Sequence, residues 1–344
     1  MGEWTEFRSL VQRITAIGSF LTNSLLVTLI IHKSPKCFGA YRYLMIYISV
    51  FEFGYATIDL LLRPEVVTKD SSWLVIFDSN TTFIPFEAMH FCLLIWLGAF
   101  GVTMANFGVH FAFRYLVLIG KRKWTSSGGF RICIWLSISV IYGGIYALAA
   151  HIFNSPTEQL DAFISRELEN FREVQPGNVV YVGFSFYEKV GDSQEETINW
   201  FNVTGVLIMS SLILISCVLM FFFGTKCYLE IKNMTMLTTS SSQAKSLQNQ
   251  LFFALFFQTM IPMILMHIPS SIVLLKTLFG GIEEVYGKIL TVTVALFPAI
   301  DPLPSFIIIE AYRNAIIDCF SFVRKCGKSK ESGSDALKTS RTSF

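Results

Sequence analysis

The sequence predicts an all-α integral membrane protein, a bundle of seven transmembrane helices with its N-terminus extracellular and its C-terminus cytoplasmic. Three observations carry that expectation. Of 344 residues, 53% are hydrophobic and only 15% are charged, against about 25% charged in an average soluble domain. The apolar residues fall in long blocks with short charged breaks. Lysine and arginine are shared unequally between alternate breaks.

A helix needs about 20 mostly apolar residues to cross a bilayer. Seven blocks qualify, at about 12–31, 43–62, 87–113, 132–153, 200–225, 251–275 and 288–309. Helices are the expected form, because lipid offers an open strand edge no hydrogen-bond partner. The length would allow two soluble domains, but the block pattern points to one membrane domain over residues 1–310. The apolar run at residues 73–77 is too short to cross and is expected in a loop. Residues 1–12 are polar, without the basic start or small-residue cleavage site of a signal peptide. The first helix is therefore expected to act as an uncleaved anchor.

Sidedness follows from the basic residues. With the N-terminus outside, the cytoplasmic segments hold 18 of the 27 lysines and arginines and the outer segments hold 9. None of the seven cysteines falls in an outer loop. No loop-stapling disulfide is expected, although that side is oxidising.

The longest outer loop, residues 154–199, carries nine acids against three basic residues. A loop of that length is usually functional or disordered. Residues 179–187 are β-branched and aromatic, as in a strand, and could cap the bundle; a solvated acidic loop is the alternative. Asn80-Thr81-Thr82 is a glycosylation acceptor pattern on the outer side. After the last span, residues 311–327 carry apolar side chains at helical spacing, consistent with a helix on the inner membrane surface. Cys319 and Cys326 there are either palmitoylation sites or plain thiols. Residues 328–344 are small, polar and basic, and are expected to be disordered.

Acids inside lipid cost about 2.5–3.5 kcal/mol each even on the gentler scale. Glu52, Asp59 and Asp301 are therefore the least expected residues in the blocks. Asp59 stands four residues before Arg63, the favoured order for a helical ion pair. Glu52 and Asp301 both fall about 12–14 Å deep from the inner side at 1.5 Å per residue. They either share one polar cavity, with a proton, waters or a cation between them, or bond separately to neighbouring groups. Pro262 and Pro269 interrupt the sixth helix; Pro298, Pro302 and Pro304 interrupt the seventh. Each removes a backbone bond, and three around Asp301 mark a weak, bendable segment.

His90 and His267 fall in the outer halves of helices three and six. With Asp59 they could line an outward-facing pocket walled by Met89, Phe91, Leu94, Trp96, Phe100 and Met266. Mostly apolar walls with a few polar groups suit a small molecule; ordinary core packing is the competing reading. Nothing points to an enzyme. The chain has no nucleophile elbow, no phosphate-cradling glycine loop and no His/Cys spacing suited to zinc. No cofactor, metal or nucleic acid is expected.

Several stretches carry a resemblance. Ser34-Pro35-Lys36 leads into Gly39-Ala40-Tyr41-Arg42. Helix three closes on His110-Phe111-Ala112-Phe113-Arg114-Tyr115, and helix five on Phe223-Gly224-Thr225-Lys226-Cys227-Tyr228. Helix six opens with Leu247-Gln248-Asn249-Gln250 and runs through Gln258-Thr259-Met260-Ile261-Pro262 to Met266-His267-Ile268-Pro269. Helix seven carries Pro298-Ala299-Ile300-Asp301-Pro302-Leu303-Pro304. In order and spacing these resemble the nematode seven-transmembrane (Str) class of serpentine chemoreceptors. The resemblance implies a multi-pass plasma-membrane receptor, in a sensory neuron cilium, that takes a small volatile or soluble ligand from outside and activates a heterotrimeric G protein. It implies G-protein coupling around His110, Arg114, Tyr115 and Lys245. Glu52, Pro262, Asp301 and Pro302 would then form the activation switch. Arg114 corresponds in role to the arginine that closes the third helix of the wider superfamily. The acid usual before that arginine is replaced by Phe113.

Two other classes compete. An odorant-gated channel would place the N-terminus inside, against the charge count. A small-molecule transporter would show paired half-repeats, and the first and last three helices share no motif.

Overall fold

The computed structural model describes residues 3–35, 38–79, 82–126, 128–158, 160–162, 164–165, 179–189, 196–236, 242–319 and 321. Seven helices among them are long and apolar enough to cross a membrane. They are α1 (Glu3–Lys33), α2 (Tyr41–Leu62), α3 (Phe86–Leu118), α4 (Gly129–Phe153) and α5 (Trp200–Met236). The sixth, α6, runs from Ser242–Pro262 through a π-helical turn, Met263–His267, into Ile268–Phe279. The seventh, α7, is Glu284–Ile300 followed after Asp301-Pro302 by Leu303–Ile308. Residues 310–319 are again helical.

The helices outrun the apolar blocks at several ends. α1 begins at Glu3, well before the block at residue 12, because its polar first turns find partners on the loop beside them. α3 is the axis of the bundle. From Trp96 to Arg114 nearly all its residues are buried, as expected of a helix apolar on every face. It meets α4 closely at Gly98 and Gly143. A Cβ on Gly143 would lie 2.8 Å from the Gly98 carbonyl oxygen and 2.3 Å from the Val102 side chain. Small residues of this kind let membrane helices approach backbone to backbone. α5 instead turns Leu207, Leu214, Val218 and Phe221 outward, where lipid replaces a protein partner.

Two small sheets sit at the end of the bundle opposite residues 310–319. β1 (Glu65–Lys69) and β2 (Ser72–Asp78) form a hairpin between α2 and α3, and β3 (Val179–Ser185) pairs with β2 antiparallel, Val75 opposite Val182. β4 (Tyr187–Lys189) pairs with β5 (Glu196–Ile198). The run at residues 73–77, expected in a loop, is thus a buried strand. The hairpin turns at Asp70, whose φ of 54° is a left-handed conformation that aspartate tolerates.

The five described cysteines, Cys92, Cys133, Cys217, Cys227 and Cys319, are free. Hydrogen bonds and an ion pair between Arg8 and Glu65 hold the sheet. Arg8 Nη1 lies 2.6 Å from Glu65 Oε2, and Trp4 Nε1 donates to Glu65 Oε1 at 2.9 Å. Gln12 Nε2 donates to the Pro64 carbonyl at 3.1 Å. On the other side Val66 N–H donates to Thr291 Oγ1 at 2.9 Å, and Gly287 N–H to Thr68 Oγ1 at 3.1 Å. Any side chain on Gly287 would meet the Val66 carbonyl oxygen at 2.4 Å, so β1 lies directly on α7 there. Asn80, residues 166–178 and 190–195, Cys326 and the tail at 328–344 lie outside the described residues.

Candidate functional site

Three polar features run down the bundle axis. The first is a cavity of about 130 Å³ beneath the three-stranded sheet. Val66, Trp73 and Phe184 of the sheet roof it; Trp96 and Phe100 of α3, and His267 of α6, stand in its wall. Ser210 of α5 and Ser270 and Ser271 of α6 add hydroxyls, Tyr146 and Asn154 also line it, and no Asp, Glu, Lys or Arg does. The Phe100 and His267 rings are 4.8 Å apart, and His267 Nε2 is 3.3 Å from Thr103 Oγ1. Thr103 commits its own hydrogen to the Phe100 carbonyl at 2.6 Å. It must therefore accept from His267 Nε2, which leaves Nδ1 as an acceptor.

The wall differs from the expected set. Trp96, Phe100 and His267 line the cavity; Asp59, Met89, His90, Leu94 and Met266 stand outside it. The Asp59 carboxylate accepts a hydrogen bond from Trp96 Nε1 at 3.1 Å, so it fixes the indole rather than facing a ligand. Its helical neighbour Arg63 leaves α2 with φ 48° and caps the helix through its backbone N–H on the Asp59 carbonyl. Met89 and Met266 are fully buried in the core. His90 faces His151 of α4 at 3.4 Å, and Phe91 is exposed on the lipid side. The π turn is what sets His267. The extra residue per turn between Pro262 and Pro269 rephases α6, and such bulges recur at functional sites.

The second feature lies at mid-depth. Glu52 of α2 and Asp301 of α7 are 1% and 0% exposed, and their carboxyls lie close enough to interact. Glu52 also contacts the Asn23 side chain. Gln258 Nε2 of α6 donates to Asp301 Oδ2 at 3.3 Å. Asn23 Nδ2 of α1 donates to the Pro298 carbonyl at 2.9 Å, supplying a donor to a carbonyl exposed where Pro302 interrupts the helix ladder. Among the described residues, Glu52 Oε2, Asp301 Oδ1 and Asn23 Oδ1 accept from no donor. Four helices thus converge on two acids at the break in α7.

The third feature is at the far end. Arg114 of α3 is buried and donates from Nη2 to Gln248 of α6, to Oε1 at 2.8 Å and to the backbone oxygen at 3.2 Å. Its guanidinium stacks over the Tyr41 ring at 5.1 Å, and His110 Nδ1 lies 3.5 Å from the Tyr41 hydroxyl. Tyr115 packs on Phe223 of α5 at 6.0 Å. Lys245 stands at the start of α6, one turn before Gln248. Glu310 N–H donates to Gln250 Oε1 at 3.0 Å, and Ser34 Oγ bonds to the Tyr312 hydroxyl at 2.7 Å.

The family described as serpentine type 7TM GPCR chemoreceptor Str matches residues 8–317 of this sequence. The chain belongs to the Str family. It is 32% identical to G-protein coupled receptor str-217 of Caenorhabditis elegans over 319 residues, 91% of this chain and 89% of that protein. It is 25% identical to serpentine receptor class r-10 of the same organism over 98% of this chain and 96% of that protein. The fold superposes on squid rhodopsin with a TM-score of 0.59 at 12% identity, covering 93% of this chain and 86% of that one. The chain is therefore a seven-span serpentine receptor of a G-protein-coupled family, embedded in the membrane.

Within this Str receptor, three functional candidates escaped the sequence. Gln248 belongs to a stretch that carried the resemblance, but a neutral amide gave no reason to single it out as the partner of Arg114. Trp73 and Phe184 roof the cavity only because β2 and β3 pair across more than a hundred residues.

Proposed function

We propose that this chain is a chemosensory receptor that binds a small uncharged, odorant-like ligand from the extracellular side and activates a heterotrimeric G protein inside. The roofed cavity between Trp96, Phe100 and His267 is the observation that carries the reading. Its volume resembles that of a ~150 Å³ apolar cavity that takes benzene, so it suits a molecule of about six non-hydrogen atoms. The wall offers one histidine and a few hydroxyls and no fixed charge, which disfavours amines and carboxylates because neither would find a counter-charge.

The remaining features suit a switch. A ligand shifts a receptor only by binding one of two states more tightly. His267 is on the π turn of α6, and the same helix carries Gln258 against Asp301 and Gln248 against Arg114. Movement of α6 about the π turn would bear on all three sites. The orientation that puts the sheet outside agrees with the basic-residue count, and places Arg114, Tyr115 and Lys245 toward the cytoplasm. A plasma-membrane receptor of a sensory cilium is the setting we infer.

The test is G-protein activation in cells expressing the full chain, across small neutral compounds, beside an Arg114→Ala form matched for surface level. A dose-dependent response lost in that form supports the reading. A ligand-evoked current that persists without G protein would replace it with a channel.

A further inference from the structure

The loop joining α3 to α4 carries Lys121, Arg122 and Lys123, the first turn of α4 adds Arg131, and no acid occurs between Glu87 and Glu158. A hollow of about 480 Å³ opens there against the start of α4. Its lining combines the cations Lys123 and Arg131 with Trp124, Phe130 and Trp135, and continues one turn along α4 to Ile134. Phe130 is 80% exposed and Trp124 54%, and both stand where the helix enters the membrane.

The hollow is built rather than left over. The loop is wound into a single turn, Arg122–Thr125. Trp135 Nε1 donates to the Trp124 carbonyl at 3.0 Å, and the Trp135 ring packs edge-on against Phe113 at 5.6 Å. Arg131 is steadied by the Ser126 hydroxyl, which uses one of its five donors. Neither Lys123 nor Arg131 forms an ion pair among the described residues. Exposed aromatics in water are unfavourable, and here they stand directly beside two cations that no acid neutralises. They are complementary to a phosphate with an acyl chain beneath it.

We propose that this hollow is a binding site for one anionic phospholipid of the adjacent leaflet. Lys123 and Arg131 hold the phosphate, Arg131 through the planar fork that matches it. Trp124 and Trp135 take the glycerol level, where indoles partition. Phe130 and Ile134 meet the first carbons of the chain. With the N-terminus outside this is the cytoplasmic leaflet, which is the anionic one.

The experiment uses the full chain, delipidated in detergent, and titrates phosphatidylserine by native mass spectrometry with phosphatidylcholine as competitor. One bound phosphatidylserine should survive the competitor. In Lys123→Gln/Arg131→Gln its affinity should fall about tenfold or more, the combined effect of two cations near a lipid headgroup. Lys121→Gln/Arg122→Gln removes the same charge from the same loop, outside the hollow, and should leave the affinity unchanged. Lys123→Arg, which keeps the charge and leaves Arg131 in place, should retain the affinity, which separates loss of the site from loss of the fold. Equal loss in both glutamine pairs would mean diffuse attraction and no site. Displacement by millimolar inorganic phosphate alone would show that the apolar half contributes nothing. Unchanged lipid binding with lost G-protein activation in Lys123→Gln/Arg131→Gln would assign the patch to the protein partner. Each of these three results overturns the proposal. The first two need neither a cavity ligand nor a G protein, so the lipid site can fail while the receptor reading stands, and the reverse.

Discussion

Arg114 closes α3 on Gln248 of α6 with two hydrogen bonds, to Oε1 at 2.8 Å and to the backbone oxygen at 3.2 Å. A hydrogen bond to a charged group contributes about 1.5–3 kcal/mol, enough to weight a two-state equilibrium about tenfold or more. The residue before Arg114 is Phe113, not an acid, and the guanidinium's partner is an amide across the bundle. Gln248→Ala keeps the backbone acceptor and loses the side-chain one, so ligand-free signalling should rise several-fold. Gln248→Glu makes the bond charge-assisted and should lower it. Arg114→Ala should abolish signalling at unchanged surface level, because the same guanidinium is expected to meet the G protein. Basal nucleotide exchange, normalised to surface receptor, checks all three. A silent Gln248→Ala beside a constitutively active Gln248→Glu would refute the restraint.

The contact between Glu52 and Asp301 makes a second prediction. Two carboxyls this close repel when both are ionised, and one shared proton relieves it. Residues in one such network couple by about 0.5–3 kcal/mol. Glu52→Gln and Asp301→Asn should each shift the agonist midpoint, and the double variant should shift it by much less than the sum. Dose–response curves for the four forms give the cycle. Additivity within about 0.5 kcal/mol would mean that the acids act separately, each on its own neighbours.

The ion pair between Arg8 and Glu65 should hold the sheet as a disulfide does elsewhere. Removing one partner from a buried pair costs about 3–5 kcal/mol, whereas replacing both with apolar groups is often close to neutral. Arg8→Met should therefore lower the thermal midpoint of the purified receptor clearly. Arg8→Met/Glu65→Leu should recover most of the loss. A double variant no better than the single would show that Trp4, or another contact of Glu65, carries the attachment.

What the sequence reveals follows from what lipid enforces. The spans are legible because an apolar block long enough to cross has one stable form. Glu52 and Asp301 stand out for the same reason. The sheet is less legible. Residues 73–77 look too short for anything until Val179–Ser185 supplies a partner from another loop, and that pairing leaves no local periodicity. Helical spacing pairs Asp59 with Arg63, but the Trp96 indole, on a different helix, takes the carboxylate. Pro262 and Pro269 announce a fault in α6 without saying that it is rephased into a π turn, and that turn ends on His267, while His90, on α3, faces His151 of α4.

His267 supports the last prediction. Thr103 Oγ1 donates to the Phe100 carbonyl and so accepts from His267 Nε2, leaving Nδ1 as the ring's acceptor. A ligand that donates a hydrogen bond, such as a small alcohol, should therefore be preferred to an ether of the same shape. One hydrogen bond is worth about 0.5–1.5 kcal/mol net, or about 2- to 15-fold in midpoint. His267→Leu should erase that preference while retaining a weaker response to both compounds. Thr103→Val frees Nε2–H and should turn the preference toward acceptors such as ketones. Val206→Phe, which fills the cavity from α5, should reject the larger members of either series first. Midpoints for matched alcohol, ether and ketone sets across these three variants test the assignment. An alcohol preference untouched by His267→Leu would place the polar contact on the serines of α5 and α6 instead.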